Sequence, residues 1–311
     1  LGLVGSHLPD GAQFLRTRFD RSVFLNGSTV NRPLSADALQ VGGGLFLRAG
    51  ATFDAISLRG ADIEGDVDAT GAVVQGPLNA DYMRVGGTLF LRDGAILDRA
   101  SLRGAEIGGD VNAEGVTFEG FFTADRLRLG GALLIRDGAT FDAVDLLSAK
   151  IAGNVETDGS TFIGRFNADG LSVGGSLFLR DGATFDAVDL PGAEIGGNVE
   201  ADGSAFEALF DATGMRVGGS LFLRGSTVHA LRLLGAEIDG NVETNGSVFA
   251  GPFEADFLRV GGGLFLRDGA RFKAVRLPRA EIRTDVSATG STFEGLFTAD
   301  GLRVDGGLIL R

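Results

Sequence analysis

Apolar positions in this chain recur about every five residues rather than every three or four. In one stretch they are Phe185, Leu190, Ile195 and Val199, with small residues two places earlier, such as Ala183 before Phe185 and Ala193 before Ile195. Helical spacing is not sustained, and pairs such as Gly196-Gly197 would interrupt a helix in every copy. The pattern predicts four short extended segments per turn of chain, each with one inward apolar residue and a small neighbour. A turn of this kind is a square coil, and coils that stack pair each backbone strand with the next at about 4.8 Å.

The coils repeat. "VGGSLFLRDGATFDAVDLPGAEIGGNVE" begins at Val173 and "LGGALLIRDGATFDAVDLLSAKIAGNVE" at Leu129, with counterparts at Val41, Val85, Val217, Val260 and Val304. Their spacing is 44 residues, with one step of 43. Within each unit an aromatic or aliphatic marker appears twice, from Phe14, Val30, Phe53, Val74 and Leu97 to Phe249, Phe272 and Phe293. Intervals between markers mostly alternate 21 and 23, so the repeat is about 22 residues in fourteen copies. One coil holds too few inward side chains to offset the entropy of ordering its backbone, and stacking supplies the rest. The expectation is a single all-β parallel solenoid over residues 1–311, a rod of roughly 65 Å at strand spacing. Phe14, Phe19 and Phe24 lie five apart, but Phe24 to Val30 is only six residues where Ile195 to Phe206 takes eleven. This predicts a first coil lacking one side, with residues 1–13 as a cap over an otherwise open strand edge.

The local matches Ala12-Gln13-Phe14, Ala61-Asp62-Ile63, Ala105-Glu106-Ile107, Ala124-Asp125-Arg126-Leu127 and Ala193-Glu194-Ile195 resemble the A(D/N)LXX pattern of the pentapeptide-repeat family. The resemblance covers nearly the whole chain and implies a right-handed quadrilateral β-helix. Strict pentads give twenty residues per coil, about two fewer than here, and the extra residues are expected at the Gly-rich corners. Some members of that family imitate DNA and bind gyrase or topoisomerase IV in place of duplex.

Composition narrows the picture. There is no cysteine, hence no disulfide, thiolate metal site or cysteine nucleophile. No apolar run reaches the roughly 18 residues of a membrane span, and the N-terminus has no signal-peptide pattern, so a cytoplasmic location is expected. Twenty-four Phe beside one Tyr and no Trp point to one ring type filling one kind of slot. The net charge of −13 is uneven. Residues 50–223 hold 12 basic and 27 acidic side chains, while residues 224–311 hold 11 of each.

Candidate chemistry is sparse. The two histidines, His7 and His229, have no visible partners, and His229 replaces the Asp142 and Asp186 of sister repeats. The Gly pairs lack the GK[ST] or G-x-G-x-x-G context of a phosphate loop and read as corners needing small residues or positive φ. Asp62, Glu64, Asp66 and Asp68 alternate as in half a calcium loop, without its terminal Glu. No catalytic, cofactor or metal residues are assigned, and no enzymatic activity is expected.

Two ladders carry more information. Arg48, Arg92, Arg136, Arg180, Arg224, Arg267 and Arg311 recur in every second coil, with Thr70, Glu114, Asp158, Asp202, Asn245 and Thr289 between them, as in a self-neutralising stripe. After the Phe marker come Asp54, Asp98, Glu119, Asp142, Asp186 and Glu207, extended by Asp145 and Asp189. These eight carboxylates are the candidate partner-binding residues, expected along one flank. The leading functional expectation is a non-enzymatic solenoid that binds a protein partner, without direct nucleic-acid binding. The alternative, implied by the resemblance, is an acidic DNA mimic; duplex carries about one charge per 1.7 Å.

Overall fold

A computed structural model describes residues 1–310. All regular structure among them is extended, and no helix there is long and apolar enough to cross a membrane. The chain is a parallel β-solenoid of about fourteen coils. The described residues divide into two compact units, the first comprising residues 1–156 and 160–163 and the second residues 157–159 and 164–310.

Each coil contributes to three parallel sheets. Sheet 1 takes two segments of every coil, merged in places into one long strand such as Ala205–Asp211. Sheet 2 takes pairs such as Glu194–Ile195, and sheet 3 pairs such as Val199–Glu200. The four expected segments are therefore present, but two of them share a sheet. Register is strict. In the second unit Phe185 pairs with Phe206, and Ile195 with Val217.

The interior is fuller than one residue per segment. Ala183, Phe185, Val188, Leu190, Ala193, Ile195, Val199 and Ala201 are all buried within one coil. Rings stack along the marker column: Phe118, Phe141 and Phe162 lie 5.2 and 5.3 Å apart in the first unit, and Phe185 and Phe206 5.2 Å apart in the second. Phe fills more than one slot, against expectation. Phe122 and Phe210 belong to a second inward column, and Phe46, Phe90, Phe178 and Phe222 are the outward residues of sheet 3 strands.

The alternation of 21 and 23 has two local causes. The longer interval Val74 to Leu97 contains a register shift in sheet 1 beside Gly76, and the two-residue turn Asp93-Gly94 with φ of 56° and 77°. A Cβ on Gly76 would lie 2.7 Å from the Asp54 carbonyl oxygen, so the bulge takes glycine. The Gly pairs are a different case. None lies in the left-handed region; a Cβ on Gly130 would lie 2.3 Å from the Gly108 carbonyl oxygen of the preceding coil. They are small because successive coils touch there, and positive φ is confined to the other corners, as at Gly115 and Gly192.

Regular pairing begins ahead of Phe14. His7–Leu8 pairs with Thr29–Val30, and Ala12–Gln13 with Leu34–Ser35. Leu8, not Phe14, is the counterpart of Val30, and the first coil has its full set of strands. The five-residue spacing of Phe14, Phe19 and Phe24 does not mark the start of a coil, because those rings belong to successive sides of one coil.

Candidate interaction surface

In-register stacking turns every outward slot into a column, so the surface is set by which residues share a slot. Sheet 3 carries the arginine ladder. Arg136 lies 2.6 Å from Glu114 of the preceding coil and 2.6 Å from Glu156 of the following one. In the second unit Arg180 engages Asp158 and Glu200, and Arg224 engages Asp202 and Glu243. Most of these guanidinium groups also lie over a ring of their own coil: Arg180 over Phe178 at 4.2 Å, Arg224 over Phe222 at 4.5 Å. The self-neutralising reading holds, with more acids than expected. Glu156, Glu200 and Glu243 sit in the slot held by Phe in alternate coils. Burial pushes the Glu114 carboxyl up, but hydrogen bonds from Asn112 and Arg136 outweigh it and hold the group below its ordinary range. Arg311, the last member of the ladder, lies outside the described residues.

The eight candidate carboxylates fall into two columns of sheet 1, not one. Asp54, Asp98, Glu119 and Asp142 follow the marker in the first unit, and Asp186 and Glu207 do so in the second. Asp98, Glu119 and Asp142 occupy consecutive coils, since their markers Leu97, Phe118 and Phe141 are neighbours. Gln75 separates Asp54 from Asp98, and Ile163, 64% exposed, follows Asp142. Asp98 pairs with Arg99 of its own strand at 3.0 Å. Glu119 and Asp142 form no ion pair among the described residues.

Asp145 and Asp189 lie past the bend, in the second column. Asp145 pairs in register with Thr123 and faces Asp125, whose carboxyl is pushed up by burial and by the Asp145 charge. Asp189 is held by Arg165, and its side chain is only 13% exposed. Burial, with Asp211 in the next coil, raises the Asp189 carboxyl although Arg165 opposes this. Those two residues belong to the fabric of the coil edge, whereas Glu119 is exposed and Asp142 half-buried, both without an ion pair among the described residues.

The other motifs separate. Asp62 is an outward residue of sheet 2, Asp66 accepts a hydrogen bond from the Thr88 N–H, and Asp68 binds Arg48 on sheet 3. No group of three His, Asp or Glu side chains among the described residues could hold a metal ion. His229 is exposed in the column after Glu207.

Sheet 2 carries a further charged ladder that the 44-residue repeat does not display. The residue before each inward aliphatic of sheet 2 runs Asp62, Arg84, Glu106, Arg128 in the first unit. In the second it runs Glu194, Arg216, Glu237, Arg259, Glu281, Arg303. Its signal is the alternation of "AEI" with "RV", visible only when copies are aligned at 22 residues instead of 44. No family model, curated protein or solved structure matches this chain.

Proposed function

We propose that the chain is a non-enzymatic binding scaffold of the pentapeptide-repeat type, which meets a basic protein partner through sheet 1 of the first unit. The observation that carries this reading is the run Asp98, Glu119, Asp142: three carboxylates of one sign in consecutive coils, of which two have no internal counter-charge. Along the sheet 3 ladder and the sheet 2 ladder from Glu194 to Arg303, opposite charges are matched within the chain. A column that stays unmatched is free to be matched by something else. The regularity of every outward column also suits an extended contact better than a reaction centre, which needs one position unlike its sisters.

The test is affinity capture from the native host at about 50 mM and 500 mM salt, comparing the parent with the variant Asp98→Asn, Glu119→Gln, Asp142→Asn. A protein held by the parent at low salt and lost by the variant supports the reading. The same set of proteins held by both overturns it.

The DNA-mimic reading is the second. Same-sign charges at strand spacing resemble a phosphate array at lower density, since duplex carries about one charge per 1.7 Å. Gyrase supercoiling with added protein at low and moderate salt decides it. Inhibition lost in the same triple variant supports mimicry, and unaltered supercoiling removes it while leaving the scaffold reading in place.

A further inference from the structure

The sheet 2 ladder of the second unit lies on a different face from the sheet 1 carboxylates. Glu194, Arg216, Glu237, Arg259, Glu281 and Arg303 fill one outward slot in six successive coils, alternating in sign without a break. Their side chains are between 42% and 79% exposed. Neighbouring rungs interact, as at Arg259–Glu237, 2.9 Å, and Arg303–Glu281, 3.4 Å. The slot two residues further along each coil holds Gly196, Gly218, Asp239, Gly261, Arg283 and Asp305. The two slots together line an open groove of about 640 Å³ around Arg259 and Glu281.

We propose that this face docks against the same face of a second copy, about a two-fold axis that crosses the stack between the coils of Glu237 and Arg259. A two-fold perpendicular to the stack carries the first coil above the axis onto the first below, the second onto the second, and so on. Because the signs alternate and the rungs are even in number, each rung then meets its opposite. Glu237 faces the second copy's Arg259, Arg216 faces its Glu281, and Glu194 faces its Arg303.

The adjacent slot provides an independent check, since the same operation must also act on it. It sets Asp239 opposite Gly261, Arg283 opposite Gly218 and Asp305 opposite Gly196. Every side chain in that slot meets a glycine, so the bulk of one copy enters the hollow of the other. A two-fold parallel to the stack fails on charge, because it would bring Glu onto Glu and Arg onto Arg. The first unit lacks a ladder of this length: its alternation ends at Arg128, where Lys150 follows with the same sign.

In the pair each carboxylate keeps its guanidinium neighbours along the stack and gains another across the interface. The association is electrostatic in origin, steered over long range and weakened by salt. It is separate from the sheet 1 contact and does not depend on it.

The experiment is sedimentation velocity on the full chain, over a concentration series, at about 50 mM and 500 mM salt. The expected result is a dimer at low salt whose dissociation constant rises at least about tenfold at high salt. Arg216→Glu and Glu281→Arg should each weaken it by about tenfold or more, and the two together should return it to within a few-fold of the parent. Within one chain the double change is worse than either single change, since it sets a third carboxylate between Glu194 and Glu237 and a third cation between Arg259 and Arg303. Recovery can therefore come only from across the interface. Melting followed by far-UV circular dichroism establishes that each variant is folded, and the salt series on the parent needs no variant. A chain that is monomeric throughout at low salt overturns the proposal. So does a dimer indifferent to salt and to both single changes, or a double variant no tighter than the singles.

Discussion

Sheet 2 of the second unit and sheet 1 of the first are built on one principle and differ in one respect. Both place the same slot of successive coils at strand spacing, about 4.8 Å. From Glu194 to Arg303 the sign alternates, and each of the four inner rungs has opposite charges above and below. From Asp98 through Glu119 to Asp142 the sign repeats. A like-charge contact between exposed cross-strand neighbours costs on the order of 1 kcal/mol or less, which the buried rings beneath can carry. The difference teaches how a repeat protein acquires a surface: the interior demands sameness from coil to coil, and the exterior is most stable where sameness of charge is avoided. Where it is not avoided, the chain tolerates a small penalty, and a basic partner of the proposed kind would gain most there.

The largest effect should come from the part the two faces share. Phe141 is fully buried between Phe118 and Phe162, at 5.2 and 5.3 Å. Phe141→Ala should cost about 3–5 kcal/mol, read by denaturant titration, through lost burial and a cavity the stack cannot close. A loss below about 1 kcal/mol would mean that the ring column is not what supports the charged exterior.

A smaller loss is expected where the alternation is broken on sheet 3. Arg136→Glu would set a carboxylate between Glu114 and Glu156, removing two ion pairs and creating two repulsions. At up to about 1 kcal/mol for each of these changes, the expected loss is about 1–3 kcal/mol, smaller at high salt. Equal stability at low and high salt would show that stacking over the coil, not charge, sets the value of this ladder.

The smallest effect has the opposite sign. Glu119→Lys would introduce alternation into the sheet 1 column, between Asp98 and Asp142. It should raise stability by about 0.5 kcal/mol at low salt and by less at high salt, while abolishing the partner binding proposed for that face. Stabilisation together with retained binding would separate the acidic column from function.

The period, the inward residues and the stacking were legible in the chain because they are consequences of one-dimensional spacing. An apolar residue every five positions, a glycine pair every 44 residues and a marker every 21 or 23 admit few folds besides a coil of 22. The arginine stripe was legible for the same reason, since Glu114 and Arg136 stand one repeat apart. What spacing could not supply was the identity of the true first marker, Leu8, which is paired to Val30 by backbone hydrogen bonds and not by resemblance. Nor could it show that two of the four segments share a sheet, or that Asp145 and Asp189 turn into a second column beside Asp125 and Arg165. The Gly pairs needed the third dimension most. Their small size follows from the carbonyl oxygen of the preceding coil, about one repeat away along the chain and in contact only once the coils are stacked. Sequence determines which residues recur. Register alone decides which recurrences become neighbours, and charge acts on neighbours.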